Sequence, residues 1–155
     1  MAGYASDADD RARRRVAFLL SSLGDDGPRM HSISGPGGIG KSRLAAEICA
    51  VRISGAVTWV SLAAVRQPEF VLSTIAAVAG LPRDASLTAM AAELDKRTSL
   101  LVLDTFEPVL TAAAEVAGML DLTTRLRVLI TSRAPASCAR RTGATAPTVI
   151  AIRRS

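Results

Sequence analysis

The segment Gly35–Ser42 constrains this chain most, because it follows the pattern G-x-x-x-x-G-K-S between an apolar run and an amphipathic stretch. Such a loop binds phosphate when its backbone N–H groups converge on one point, and glycines permit the tight turn this requires. A helix starting directly after the loop adds the partial positive charge of its N-terminus. We therefore predict a nucleotide-binding P-loop, in which Lys41 reaches the β- and γ-phosphates and the Ser42 hydroxyl binds Mg²⁺.

The P-loop prediction implies ATP or ADP together with Mg²⁺ as the ligands of the chain. The predicted nucleotide-binding residues are those of the loop and the start of the following helix: Gly35, Pro36, Gly37, Gly38, Ile39, Gly40, Lys41, Ser42 and Arg43.

The hydrophobic pattern predicts an α/β fold with a parallel sheet of four to five strands and helices on both faces, because short apolar strands alternate with helical stretches. The predicted strands are 30–34, 57–62, 99–104 and 127–131, with 148–152 as a possible fifth. The predicted helices are 7–23, 41–53, 69–79, 87–97 and 108–120. Ser86 is a plausible N-cap, and we interpret His31, the only histidine, as a packing residue.

A second candidate site element is the strand Leu100–Asp104, in which four apolar residues precede a carboxylate. Ligands of open α/β sheets bind at the carboxyl ends of the strands, so Asp104 is the predicted Mg²⁺ ligand and a candidate catalytic residue. Glu107 could polarise an attacking water, or it could be a first-turn acid that interacts with a helix dipole. After the next strand, Thr131-Ser132-Arg133 could contact a γ-phosphate or form a solvated turn.

The charge distribution argues against nucleic-acid binding by this chain. It carries 19 basic and 14 acidic residues, but residues 138–155 hold four arginines and no acid, so most of the net charge of +5 belongs to that tail. Cys49 and Cys138 form no CxxC pair, which argues against a zinc cluster or a disulfide framework. No apolar run is long enough to span a bilayer, so we expect a cytoplasmic protein without a membrane partner.

Four blocks in order resemble one family: GPGGIGKSRLA, AVTWVSLA, LLVLDTFEPVL and RVLITSRAP. The chain resembles, over about residues 30–135, the nucleotide-binding domain of large bacterial LuxR-type and SARP-type transcriptional regulators, of the STAND/NB-ARC class of AAA-like ATPases. The resemblance implies a P-loop NTPase three-layer sandwich of ASCE type, with the strand at 127–131 between the P-loop strand and the Asp104 strand. It also implies that Arg133 senses phosphate, and that an ATP/ADP switch with slow hydrolysis controls separate output and sensor domains.

Three departures from that family's pattern bear on function. Residues 1–10 lack the family's Val-Gly-Arg-Glu-like segment, which helps to seat adenine, and Thr105 stands where Asp or Asn usually follows the strand aspartate. Residues 136–155 match no later part of the family, which suggests a truncated chain. We therefore expect an N-terminal helix and turn (1–29), a nucleotide-binding core (30–135) and a basic tail (136–155). Deleting residues 138–155 should change nucleotide affinity little.

Two functions remain open from the sequence. The first is a nucleotide-switch module of a signalling or transcriptional regulator, with weak or no hydrolysis. The alternative is a stand-alone P-loop enzyme, such as a kinase-like phosphotransferase, which needs an acceptor-binding segment and lid arginines. Residues 63–98 are mostly apolar with three scattered arginines, a pattern more typical of packed helices. Acceptor-dependent ATP consumption would distinguish the two.

Overall fold

A computed structural model describes residues 7–24, 26–51, 55–136 and 148–152, and these form five helices, five strands and two short 3₁₀ segments. In chain order the elements are α1 (Asp7–Ser22), β1 (Met30–Ser34), α2 (Lys41–Val51), β2 (Val57–Ser61), a 3₁₀ turn (Pro68–Phe70), α3 (Val71–Val78), α4 (Leu87–Arg97), β3 (Leu100–Asp104), a second 3₁₀ segment (Glu107–Ala112), α5 (Ala113–Asp121), β4 (Arg127–Ser132) and β5 (Thr148–Ala151).

The five strands form one sheet in the order β2-β3-β4-β1-β5, and every pairing is parallel. This confirms the predicted α/β class and strand order, because β4 lies between the P-loop strand β1 and the Asp104 strand β3. Parallel strands bring their carboxyl ends to the same edge of the sheet. Ser34, Asp104 and Ser132 therefore end neighbouring strands on one side of the molecule.

Side chains along the strands point alternately to the two faces of the sheet, and each face is buried in its own apolar core. In β3, Leu101 and Leu103 join one core, whereas Leu100 and Val102 join the other. The first core is covered by α3, α4 and α5, and the second by α1 and α2. Burying a leucine side chain contributes about 1.5–3 kcal/mol, so strands buried on both faces hold all three layers together. The predicted three-layer sandwich is confirmed.

Two helix starts differ from the predicted ones, and both lie at a proline. The stretches predicted as helices from residues 69 and 108 begin instead as 3₁₀ segments, with Pro68 and Pro108 in their first turns. Proline fixes φ and lacks an N–H, which suits a first turn, and Val109 (φ −130°, ψ 31°) kinks the second segment before α5. The prediction for α2 extends to residue 53, but residues 52–54 lie outside the described part of the chain. Ser86 is the N-cap of α4, as predicted, since its Oγ accepts from Ala89 N at 3.2 Å.

The entry to β4 is fixed by a single carboxylate on α4, that of Asp95. Its oxygens accept hydrogen bonds from the backbone N–H groups of Thr124, Arg125 and Leu126 at 2.8–3.0 Å, and from the Thr124 hydroxyl at 2.9 Å. Partial burial raises the pKa of Asp95, but these donors outweigh it and lower the pKa to about 2. Residues 124–126, which lead into β4, are therefore held against α4.

None of the helices in the described ranges combines the length and the apolar character needed to cross a bilayer.

Candidate functional site

The P-loop connects β1 to α2 through a backbone that only glycine adopts without strain at two positions. Gly38 and Gly40 have φ of +73° and +92°, and a Cβ at either position would meet nothing within 4 Å. The requirement there is backbone conformation, not space. Pro36, Gly37 and Gly38 are exposed, so the loop presents its main chain to solvent at the C-terminal edge of β1.

Lys41, the first residue of α2, holds a positive charge over this loop. Its Nζ donates to the carbonyl oxygens of Gly35 at 2.8 Å and Pro36 at 2.9 Å. The ammonium group and the N-terminus of α2 thus present positive charge to the same exposed loop. Together with the glycine backbone, they make the cradle that a phosphate chain requires.

A hydroxyl and a carboxylate meet beside Lys41. Ser42 Oγ donates to Asp104 Oδ1 at 2.7 Å, across 62 positions of sequence. The same carboxylate oxygen accepts from Thr131 Oγ1 at 2.5 Å. Hydroxyl and carboxylate oxygens are the ligands that Mg²⁺ prefers, and in nucleotide sites the remaining ligands are water and phosphate oxygens. The donor set of Ser42 and Asp104 therefore fits Mg²⁺ bound with a nucleotide.

Thr131 makes contacts that the sequence does not predict, because the sequence indicates only a possible phosphate contact for the segment 131–133. In addition to donating to Asp104, Thr131 Oγ1 accepts from Thr105 N at 3.0 Å, and its carbonyl oxygen accepts from Phe106 N at 2.9 Å. The predicted strand order gives a partial signal, because it places the ends of β3 and β4 side by side without specifying which side chains meet there.

Thr105, whose N–H donates to Thr131 Oγ1, has an unusual backbone conformation. Its φ is +63°, and it is the one non-glycine residue with positive φ in the described ranges. A β-branched residue is disfavoured there by steric contact between Cβ and the backbone. The hydrogen bond from Thr105 N to Thr131 offsets part of this strain and turns the chain sharply after Asp104.

Arg133 and Glu107, predicted separately, form an ion pair at the edge of the P-loop. Arg133 Nε lies 3.5 Å from Glu107 Oε1. The arginine is 70% exposed, whereas the glutamate side chain is only 25% exposed. A Cβ added to Gly37 would lie 3.2–3.4 Å from the guanidinium, so this group packs against the loop itself. Glu107 is also in the first turn of its 3₁₀ segment, so both alternatives for it remain compatible with the structure.

The remaining predicted binding residues border a cavity of about 820 Å³ between α1 and α2. Ile39, Gly40 and Arg43 line it from the loop side, with Val16 and Leu20 of α1 opposite. Its volume is in the usual range of small-molecule pockets, about 300–1,000 Å³. The Arg43 side chain is 85% exposed and pairs with Glu47 at 3.2 Å. The apolar pattern of α1 predicts that this helix packs against the rest of the domain, but it does not indicate the cavity between α1 and α2.

The segment expected to be a dispensable tail contributes β5, which supports the P-loop. Ile152 N donates to Ser34 O at 2.7 Å, and the Ile152 side chain is buried in the core beneath α1 and α2. A Cβ on Gly35 would lie 2.6 Å from the Ile152 carbonyl oxygen, so glycine is required there for space. This contact argues against the expectation that removing residues 138–155 leaves nucleotide affinity unchanged. Residues 137–147, with Cys138, lie outside the described ranges.

Sequence comparison finds mycobacterial relatives, while no family model matches the chain. The chain is 34% identical over 112 residues to "Putative HTH-type transcriptional regulator Rv0890c" of Mycobacterium tuberculosis, and equally to its counterpart Mb0914c of Mycobacterium bovis. Each alignment covers 69% of this chain and 13% of the relative. The chain thus spans about an eighth of the length of the curated relatives it matches.

Solved structures share the architecture. Cdc6p from Pyrobaculum aerophilum superposes with a TM-score of 0.60 at 15% identity, covering 86% of this chain and 42% of that protein. A Signal Transduction ATPase with Numerous Domains (STAND) protein with a tetratricopeptide repeat sensor, from Pyrococcus horikoshii, gives 0.54 at 16% identity and covers 90% of this chain and 22% of that one. The chain has the fold of the P-loop ATPases.

Proposed function

We propose that this chain binds ATP or ADP with Mg²⁺ at the P-loop. The observation that carries the proposal is the convergence of Ser42 and Thr131 on one oxygen of Asp104, directly beside Lys41 and the exposed glycine loop. In this proposal the N–H groups of residues 35–42 cradle the phosphates, and Lys41 neutralises the β- and γ-phosphates. Ser42 and Asp104 hold the Mg²⁺, which supplies charge neutralisation on the phosphate oxygens.

The other predicted residues have roles at the two ends of the nucleotide. In this proposal Arg133 contacts the γ-phosphate, and Glu107 is the candidate group to polarise an attacking water. At the opposite end, the cavity between α1 and α2 adjoins Gly40 and is large enough for a nucleobase, with Ile39 and Arg43 at its border. In this proposal the cavity accommodates the adenine base, for which residues 1–10 contain no family-like seating segment. It is open to solvent, so we expect micromolar affinity and slow hydrolysis.

We further propose that the nucleotide acts as a switch within a larger cytoplasmic signalling or transcriptional regulator. Support comes from the mycobacterial relatives, which are much longer than this chain, and from the shared fold of the STAND ATPase. Output and sensor domains would then lie outside this chain. The same proposal includes a nucleotide-binding core that begins at residue 30 and the absence of direct DNA binding by this chain. That core extends beyond the expected boundary at residue 135, because β5 pairs with β1. No observation specifically favours the kinase-like alternative.

The test measures ADP affinity with Mg²⁺ and with a chelator, for the wild type and for Asp104→Asn. We expect Mg²⁺ to strengthen binding in the wild type and to have little effect in the variant, because the substitution removes the negative charge that attracts the cation. Asp121→Asn, an exposed acid at the end of α5, is the matched charge control. Equal losses with and without Mg²⁺ would make Asp104 purely structural. ATP consumption that rises with a phosphate acceptor would favour the kinase-like enzyme.

A further inference from the structure

The pair formed by Glu107 and Arg133 has an asymmetry that the proposed roles do not explain. One carboxylate oxygen of Glu107 faces Arg133 Nε at 3.5 Å, while the other, Oε2, is buried and has no hydrogen-bond partner within the described part of the chain. A carboxylate held largely away from water in this way depends on its one cation for stabilisation. Arg133 is mostly exposed and so is free to turn elsewhere.

Besides Glu107, Arg133 lies close to the loop at which we propose that phosphates bind. Its guanidinium packs against Gly37 in the exposed loop, where the proposed phosphates bind. A terminal γ-phosphate carries more negative charge than one carboxylate and offers several acceptor oxygens, so it competes effectively for the same guanidinium. A diphosphate has no such group and leaves the ion pair intact.

We propose that Glu107 is a positioning residue that sets the discrimination between nucleoside triphosphate and diphosphate, by competing with the γ-phosphate for Arg133. This inference rests on the proposed nucleotide site. When a triphosphate binds, Arg133 leaves Glu107, and the glutamate then remains without its cation. The pair therefore weakens triphosphate binding without affecting diphosphate binding, and it biases the switch towards the diphosphate state.

The test compares the affinities of ADP and of a non-hydrolysable ATP analogue by calorimetry, so that turnover does not distort the result. Glu107→Gln keeps the shape of the side chain but removes its charge. We expect affinity for the analogue to rise about three- to fivefold, in the range known for partly exposed ion pairs, and ADP affinity to stay within about twofold. Glu115→Gln, an exposed acid on α5, is the control for net charge and should change neither affinity.

The decisive arm repeats Glu107→Gln in an Arg133→Ala background. If Glu107 acts through Arg133, its effect on the analogue falls to less than half there. An undiminished effect would mean that Glu107 simply repels the γ-phosphate, and would overturn the inference. The inference would also be wrong if the wild type binds ADP but Glu107→Gln leaves the ratio of analogue affinity to ADP affinity unchanged. That result would still support the proposed nucleotide site. Failure of the wild type to bind either nucleotide would overturn the proposed function itself.

Discussion

Thr131→Val tests whether one hydroxyl stabilises the edge of the sheet that carries the proposed Mg²⁺ site. Valine has nearly the shape of threonine but cannot make either hydrogen bond of Thr131 Oγ1. The change removes a donor to the Asp104 carboxylate and leaves the partly buried N–H of Thr105 without its acceptor. Hydrogen bonds to charged groups contribute about 1.5–3 kcal/mol, and an unsatisfied buried N–H costs about 1–3 kcal/mol.

These two losses share one atom and are not additive, so we expect a decrease of about 2–4 kcal/mol in the free energy of unfolding. That is a large fraction of the roughly 5–15 kcal/mol typical of a domain. For a chain of this size it corresponds to a fall of roughly 5–15 °C in melting temperature. Mg²⁺-dependent ADP binding should weaken as well, because Asp104 loses a group that orients it.

Urea denaturation of the wild type, Thr131→Val and Thr131→Ser measures the effect. Serine retains the hydroxyl, so Thr131→Ser should keep most of the stability and the Mg²⁺ dependence. If the valine and serine variants were equally stable, the hydroxyl would have no structural role. If both matched the wild type in Mg²⁺ dependence, Thr131 would not orient Asp104.

Two further predictions use pH. The pKa of Asp95 is lowered to about 2, so its stabilisation is present above its unfolded pKa near 4 and is lost as the pH falls towards 2. Asp95→Asn should therefore melt lower than the wild type at pH 7, with the difference shrinking towards pH 2. A constant difference would refute the stabilising role of the hydrogen bonds from residues 124–126 to the Asp95 carboxylate. Burial and, secondarily, the charge of Arg127 lower the pKa of His31 to about 4, so wild-type stability should rise from pH 4 to 6.5, by up to about 3 kcal/mol. His31→Leu should make the melting temperature nearly independent of pH between 4 and 6.5. An unchanged pH dependence in the variant would mean that His31 is not its cause.

The sequence predicted most of the fold because its signals are local and strong. Continuous apolar runs such as Leu100–Leu103 indicate strands buried on both faces, and the glycine loop marks the strand-to-helix turn at Lys41. Helix boundaries at Pro68 and Pro108 were less accurate. A proline in a first turn is compatible with either an α-helical or a 3₁₀ start, and tertiary packing decides between them.

Candidate site residues could be predicted only where the residue type and its neighbouring sequence together indicate one role. Lys41 and Ser42 follow from the loop pattern, and Asp104 from the apolar strand before it. The bridging role of Thr131 and the Glu107–Arg133 ion pair depend on side-chain contacts between segments about 26 residues apart. No local pattern encodes such contacts. The cavity beneath α1 likewise depends on how two helices are spaced, which apolar periodicity does not specify.

The most direct test of the nucleotide site is calorimetric titration of the wild type and Lys41→Ala with ADP and ATP in the presence of Mg²⁺. Lys96→Ala is a matched control, because Lys96 is the other lysine of the chain and lies exposed on α4, away from the P-loop. We predict micromolar binding by the wild type, at least about tenfold weaker binding by Lys41→Ala, and binding within about twofold of wild type by Lys96→Ala. Equal affinities of the wild type and Lys41→Ala, or no binding of either nucleotide by the wild type, would contradict the account.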